Sequence, residues 1–177
     1  MKKIFRTLVL AASLATSFTA FAQDQEIRLF SHRGGRLEHD ENTMYAFEKR
    51  YEAGYRGYET DIRLTSDGKL ALFPDNSLDR CTNATGSIEE KTMKEVAAIR
   101  TKEGRPLCTL QEFVDFFKNK HNDDLYIEFE IKTNEKLYTQ EKIEEICDKI
   151  YKMVTANKPK GAVYLFTSSD YRALRYL

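Results

Sequence analysis

A helix held between two strands constrains this chain more than any other feature. Ile27 to Phe30 is an apolar, strand-like run, and Gly57 to Arg63 extends again. Between them Asn42 or Thr43 can cap a helix whose apolar residues Met44, Phe47 and Tyr51 recur at helical spacing and which stops at Gly54. Two strands joined through a packed helix cross over and pair in parallel, because a tight turn joins only antiparallel neighbours.

The same stretch, Ser31 to Asp61, concentrates chemistry. It opens on the turn His32-Arg33-Gly34-Gly35, which leaves an imidazole and a guanidinium at a strand end, and closes on Glu59 and Asp61. Those two acids stand two residues apart on a strand, so period-two alternation turns both carboxylates to one face. A base, a cation and two hard oxygen ligands at one spot suit metal-assisted chemistry on an anion.

Further units follow. Ser66-Asp67-Gly68-Lys69 is a strong turn signal, and Leu70 to Phe73 extends after it. About a dozen residues separate Asp61 from Pro74, too few for a helical crossover, so the local pattern favours a hairpin while a place in the parallel sheet stays open. Asp75 to Gly86 is a polar loop, and three capping boxes follow it: Ser87 with Glu90, Thr92 with Glu95, and Thr109 with Glu112, the last opening a helix with Leu110, Phe113, Val114 and Phe117 on one face. In Leu125 to Lys132, the residues Ile127, Phe129 and Ile131 alternate with Glu128, Glu130 and Lys132. Thr139 to Asn157 carries a helical stripe of Ile143, Ile146, Cys147, Ile150 and Val154, and Lys158-Pro159 ends it. Gly161 to Phe166 is strand-like, and Ser168 or Ser169 caps a helix from Asp170 that meets no stop signal before Leu177.

This alternation predicts an α/β fold with a parallel sheet and strands at 27–31, 57–63, 69–73, 125–131 and 161–167. A (β/α)8 barrel typically needs about 250 residues. If the sheet is that of a TIM-type barrel, as expected from the resemblance given below, the 177 residues here hold about its first five strands.

Lys2, Lys3 and Arg6 precede an apolar run from Leu8 to Phe21 that closes on Ala20-Phe21-Ala22, the pattern of a secretory signal peptide cleaved before Gln23. The expected organisation is a signal peptide at 1–22 and a partial barrel at 23–177, with no membrane span after cleavage. Its loss leaves 25 basic and 28 acidic residues, which implies no field for nucleic acid. Three cysteines allow at most one intramolecular disulfide; Cys147 falls on an apolar helix face, while Cys81 and Cys108 lie in loops and are candidates to pair. Asn83-Ala84-Thr85 matches a glycosylation acceptor but reads more simply as polar loop.

The ordered blocks His32-Arg33-Gly34, Glu41-Asn42-Thr43 with Ala46-Phe47, Gly57-Tyr58-Glu59-Thr60-Asp61, Thr65-x-Asp67-Gly68, Leu78-Asp79-Arg80, Thr109-Leu110-x-Glu112 and Ile127 to Lys132 resemble the glycerophosphodiester phosphodiesterase family, whose members are TIM barrels. The resemblance implies that Glu59, Asp61 and Glu130 hold one divalent ion, magnesium or calcium, that Arg33 and Lys132 bind the substrate phosphate, and that His32 is an acid-base catalyst. It implies cleavage of a glycerophosphodiester to glycerol 3-phosphate and an alcohol, the glycerol hydroxyl attacking first. His39 and His121 match no family position and are expected at the surface.

Two departures stand out. The family's second histidine belongs directly before Asp75, where this chain has Pro74. General acid catalysis is typically worth about 10²- to 10⁴-fold, so turnover is expected to suffer. The barrel is also short, and either a second copy or a missing C-terminal portion is expected to complete it. The alternatives to an active enzyme are a non-catalytic protein that binds phosphodiesters or glycerophosphate, and a truncated product without function.

Overall fold

The computed structural model describes residues 27–120 and 124–177. The expected signal peptide and His121 lie outside these residues. Among them no helix is long and apolar enough to cross a membrane.

The sheet runs in the order β1 (Ser31–His32), β2 (Gly57–Leu64), β4 (Tyr126–Ile131), β5 (Val163–Thr167), all parallel, with β3 (Leu70–Leu72) antiparallel on β2. The hairpin suggested by the short connection is therefore formed, with Ile62 facing Leu72 and Leu64 facing Leu70. Among the described residues there are five strands, of which four share the parallel direction of a barrel wall while β3 runs antiparallel. Residues 27–30 do not join the sheet: Ile27 and Leu29 are largely exposed, and pairing starts at Ser31, opposite Tyr58. Composition alone made that run look like a strand; ladder pairing begins only at Ser31, although Leu29 already lies close against Gly57 of β2.

The helices form where their caps predict. Thr43, not Asn42, caps α1 (Met44–Glu52), its hydroxyl accepting from the Ala46 N–H at 3.2 Å. Thr92 with Glu95 opens α2 (Met93–Val96) and Thr109 with Glu112 opens α3 (Leu110–Lys118) as complete capping boxes, while at Ser87, which opens a single 3₁₀ turn, only the Ser87 N–H to Glu90 carboxylate half is made. Thr139 caps α4 (Gln140–Ala156). Asp170 takes the cap of α5 (Tyr171–Tyr176) instead of Ser168 or Ser169, because its carboxylate accepts from the Arg172 N–H at 3.0 Å while the Ser168 hydroxyl is turned to the Ile131 carbonyl.

The alternation along β2 and β4 divides core from site. Tyr58, Ile62 and Leu64 on β2, with Ile127, Phe129 and Ile131 on β4, pack under Phe113 and Phe117 of α3 and Ile143, Ile146 and Ile150 of α4. Phe47 of α1 meets Phe113 edge-on at 4.6 Å between ring centres, and aromatic pairs of this kind add about 0.5–1.5 kcal/mol beyond area burial. The opposite face carries Glu59, Asp61, Arg63, Glu128 and Glu130. A second cluster, with Phe73, Leu78, Ile88 and Leu107 among its members, holds the long loop after β3. Among the described residues β1 and β5 each pair along one edge only.

Candidate metal and phosphate site

Strand register assembles the site. His32 pairs with Glu59 across β1 and β2, and Asp61 pairs with Glu130 across β2 and β4, so two positions on β2 reach site residues on both neighbours. Glu59, Asp61 and Glu130 each offer a carboxylate oxygen, and these atoms lie within 4.8 Å of one another. Two of these acids are nearly out of water: Glu59 Oε1 is buried without a hydrogen-bond donor, and the buried Asp61 Oδ1 faces the Lys132 ammonium. Buried acceptors without donors are costly, and an all-oxygen donor set suits a hard divalent cation. The residues present fit the ion the family resemblance implies.

Charges around the triad follow the same logic. Burial, first, and then the neighbouring Asp61 and Glu130 raise the Glu59 carboxyl to about 8, against the opposing pull of Arg33. Lys132 stands at β4's exit with its Nζ 3.1 Å from Asp61 Oδ1 and 2.6 Å from Glu130 Oε1. Burial works to lower its pKa, but these two carboxylates win and hold it above the usual lysine range.

The turn after β1 places the remaining groups. Arg33, Gly34 and Gly35 all have left-handed φ, of 56°, 76° and 92°. Glycine is needed at 34, where a side chain would also press on Ala46 Cβ at 2.9 Å. This curl brings the Arg33 N–H onto Glu59 Oε2 at 2.9 Å and its guanidinium between Glu41, at 3.1 Å, and Asp61, at 3.0 Å. Burial opposes its charge, yet Asp61 and Glu41 keep it raised above the ordinary arginine value. His32 remains half exposed, with Nε2 3.7 Å from Glu59 Oε2. Burial and the Arg33 charge lower its pKa, leaving a neutral imidazole able to accept a proton.

All six residues singled out in the sequence are therefore brought together. His39 is elsewhere, edge-on against Tyr45. Cys81 and Cys108 are both free thiols: the Cys81 sulfur faces Glu41 Oε1 at 2.9 Å, and that of Cys108 faces the Thr109 carbonyl. The pairing the sequence left open is not made, since the two cysteines serve different surroundings. Pro74 lies buried at the exit of β3. Its carbonyl accepts from Arg63 Nη2 at 2.9 Å, and the preceding Phe73 N–H donates to the Asp61 carbonyl at 2.9 Å. Position 74 is thus anchored beside the triad, but its side chain has no proton to give.

Two members of the site had no role assigned from sequence. Glu41 anchors both Arg33 and Arg80, and Asn42 contacts Asp61 directly. Their signal was the block Glu41-Asn42-Thr43, of which helix capping explains only Thr43.

Comparison with known proteins agrees with this architecture. The family model described as the glycerophosphoryl diester phosphodiesterase family matches residues 32–177. A glycerophosphodiester phosphodiesterase of Caldanaerobacter subterraneus is 34% identical over 117 residues, covering 62% of this chain and 47% of the relative. One from Bacillus altitudinis is 42% identical over 69 residues, covering 39% of this chain and 28% of the relative. Among solved structures, a phosphodiesterase of Oleispira antarctica superposes with a TM-score of 0.74 at 24% identity, over 85% of this chain and 60% of that one. A glycerophosphodiester phosphodiesterase of Thermotoga maritima gives 0.63 at 30% identity, over 85% and 57%. The chain thus spans about half or less of the length of the curated relatives it matches, and 57–60% of these two solved structures.

Proposed function

Because the chain belongs to the glycerophosphoryl diester phosphodiesterase family, we propose that it is a metal-dependent phosphodiesterase acting on glycerophosphodiesters. The single observation that carries this is the convergence of Glu59, Asp61 and Glu130 within 4.8 Å, with the buried Glu59 Oε1 left without a donor. Glu59, Asp61 and Glu130 would hold magnesium or calcium, which when bound neutralises phosphate charge and acidifies a coordinated hydroxyl. Arg33, locked by Glu41, presents a permanently charged fork to the phosphate, and Lys132 offers a second cation beside it.

His32 takes the proton of the attacking glycerol hydroxyl. Its oxygen bonds to phosphorus, the bond to the alcohol breaks, and water then opens the cyclic phosphate to glycerol 3-phosphate. In support, the Oleispira relative was solved with sn-glycerol-3-phosphate as product. The alcohol must leave with a proton, which Pro74 cannot supply. The missing acid is worth roughly 3–5 kcal/mol of barrier, so slow turnover biased toward acidic leaving groups is expected.

That same proline favours a second reading, a protein that binds glycerophosphate or its diesters without cleaving them. The two are separated by assaying glycerol 3-phosphate release from glycerophosphocholine, and phenolate release from an aryl phosphodiester, for the wild-type chain and Pro74→His. Enzyme function predicts metal-dependent aryl cleavage by the wild type and a gain of at least tenfold on glycerophosphocholine in the variant. Tight metal-dependent glycerophosphate binding with neither activity supports the second reading.

The amino-terminal pattern supports export to the periplasm or outside the cell. The unpaired edges of β1 and β5 support completion of the barrel by a second copy or by further polypeptide.

A further inference from the structure

Asn42 is built more elaborately than a loop residue between a strand and a helix requires. It takes a left-handed φ of 55° and is 1% exposed, yet the cap of α1 belongs to its neighbour Thr43. Its amide instead spans from β2's backbone to a carboxylate. Nδ2 donates to Asp61 Oδ2 at 2.8 Å, while Oδ1 accepts from the Thr60 hydroxyl at 2.8 Å and more weakly from the Asp61 N–H at 3.4 Å. The backbone N–H can only donate, so it settles which end of the amide faces which partner.

We infer that Asn42 is the positioning residue that decides which oxygen of Asp61 is free to bind the cation, an inference resting on the metal site proposed above. An aspartate free to turn about its last torsion offers either oxygen or both. Here Oδ2 is occupied by Asn42 Nδ2 and approached by Arg33 Nε at 3.0 Å, which leaves Oδ1, paired with Lys132 Nζ at 3.1 Å, as the oxygen a cation would take in that lysine's place. Asp61 is thereby set as a one-oxygen ligand, with Thr60 holding the amide in turn. The residue type follows from the two demands combined. Asparagine is among the few residues that tolerate left-handed φ, and it alone of these also carries an amide donor long enough to reach Asp61.

The test uses the full chain and magnesium, calcium and manganese titrated by calorimetry, beside metal-free melting curves. Asn42→Gly keeps the left-handed backbone and removes the amide; Thr60→Val removes only the hydroxyl that orients it. Groups behind a metal ligand typically contribute 10–100-fold in affinity. The expected result is a loss of that size in Asn42→Gly and a smaller loss in Thr60→Val, with metal-free melting within a few degrees of wild type. Wild-type affinity in both variants overturns the role of Asn42 and leaves the metal site standing. If Asn42→Gly fails to fold, Thr60→Val decides, and wild-type affinity in that variant overturns it. A wild-type chain that binds none of the three ions overturns this inference together with the metal site itself.

Discussion

Arg63→Ala should be the most damaging single change outside the triad, and its cost can be worked out. Arg63 is 2% exposed and its Nη1 lies 2.6 Å from Oε1 of the equally buried Glu89, whose other carboxylate oxygen has no partner. The same guanidinium donates to the Phe73 carbonyl at 3.2 Å, the Pro74 carbonyl at 2.9 Å and Asn76 Oδ1 at 3.0 Å, tying β2 to the loop that carries position 74. Truncation leaves a carboxylate stranded in the interior, typically about 3–5 kcal/mol. With an unfolding entropy near 2.1 cal/mol/K per residue over about 150 ordered residues, melting should fall by roughly 10–16 °C. Arg63→Met combined with Glu89→Leu removes the stranded charge and should regain about 2 kcal/mol of this. The carbonyls of Phe73 and Pro74 still lose their donor, so a deficit of about 1–3 kcal/mol should persist. Thermal melts of wild type, single and double variants at pH 7 decide the matter. A single variant that melts with the wild type, or a double variant as unstable as the single, would refute the reasoning.

Other outcomes follow from the shifted groups. Since burial, Asp61 and Glu130 raise Glu59 to about 8, the metal-free chain carries a proton there at pH 7 that a divalent ion must expel. Affinity should therefore climb from pH 6 to 8 and level off above, and calorimetry at pH 7 in two buffers of different ionisation enthalpy should register proton release; a flat pH profile contradicts this. The same raised value means that the native metal-free state binds the extra proton, so its contribution to stability is full below the ordinary carboxyl range and fades as pH rises through about 8. Burial and the facing Glu41 carboxylate push the Cys81 thiol up to about 12. Alkylation of Cys81 at pH 8 should run about a thousandfold slower in the folded chain than in urea, read by mass spectrometry, because only the thiolate reacts.

Legibility in the sequence tracked how local each determinant was. Thr109 with Glu112 announced α3 because a capping box is complete within four residues, and Glu59 and Asp61 announced a shared face because alternation is a property of one strand. The direction of β3 was only half legible, since the short connection favours a hairpin while pairing on β2 is decided by partners. Residues 27–30 misled because their composition is strand-like while ladder pairing on β2 starts only at Ser31. Asn42 was the least legible. Its importance depends on β2 passing within reach of the turn after β1, a contact 19 residues apart that no local pattern encodes.

The most direct measurement is the anomalous scattering of manganese in crystals of the full chain. The predicted result is one strong peak bounded by Glu59, Asp61 and Glu130, about 2.1 Å from the nearest oxygen of each, as a small hard cation requires. Manganese bound elsewhere with the triad empty, or Lys132 keeping its contacts to Asp61 and Glu130 at saturating metal, would contradict the account.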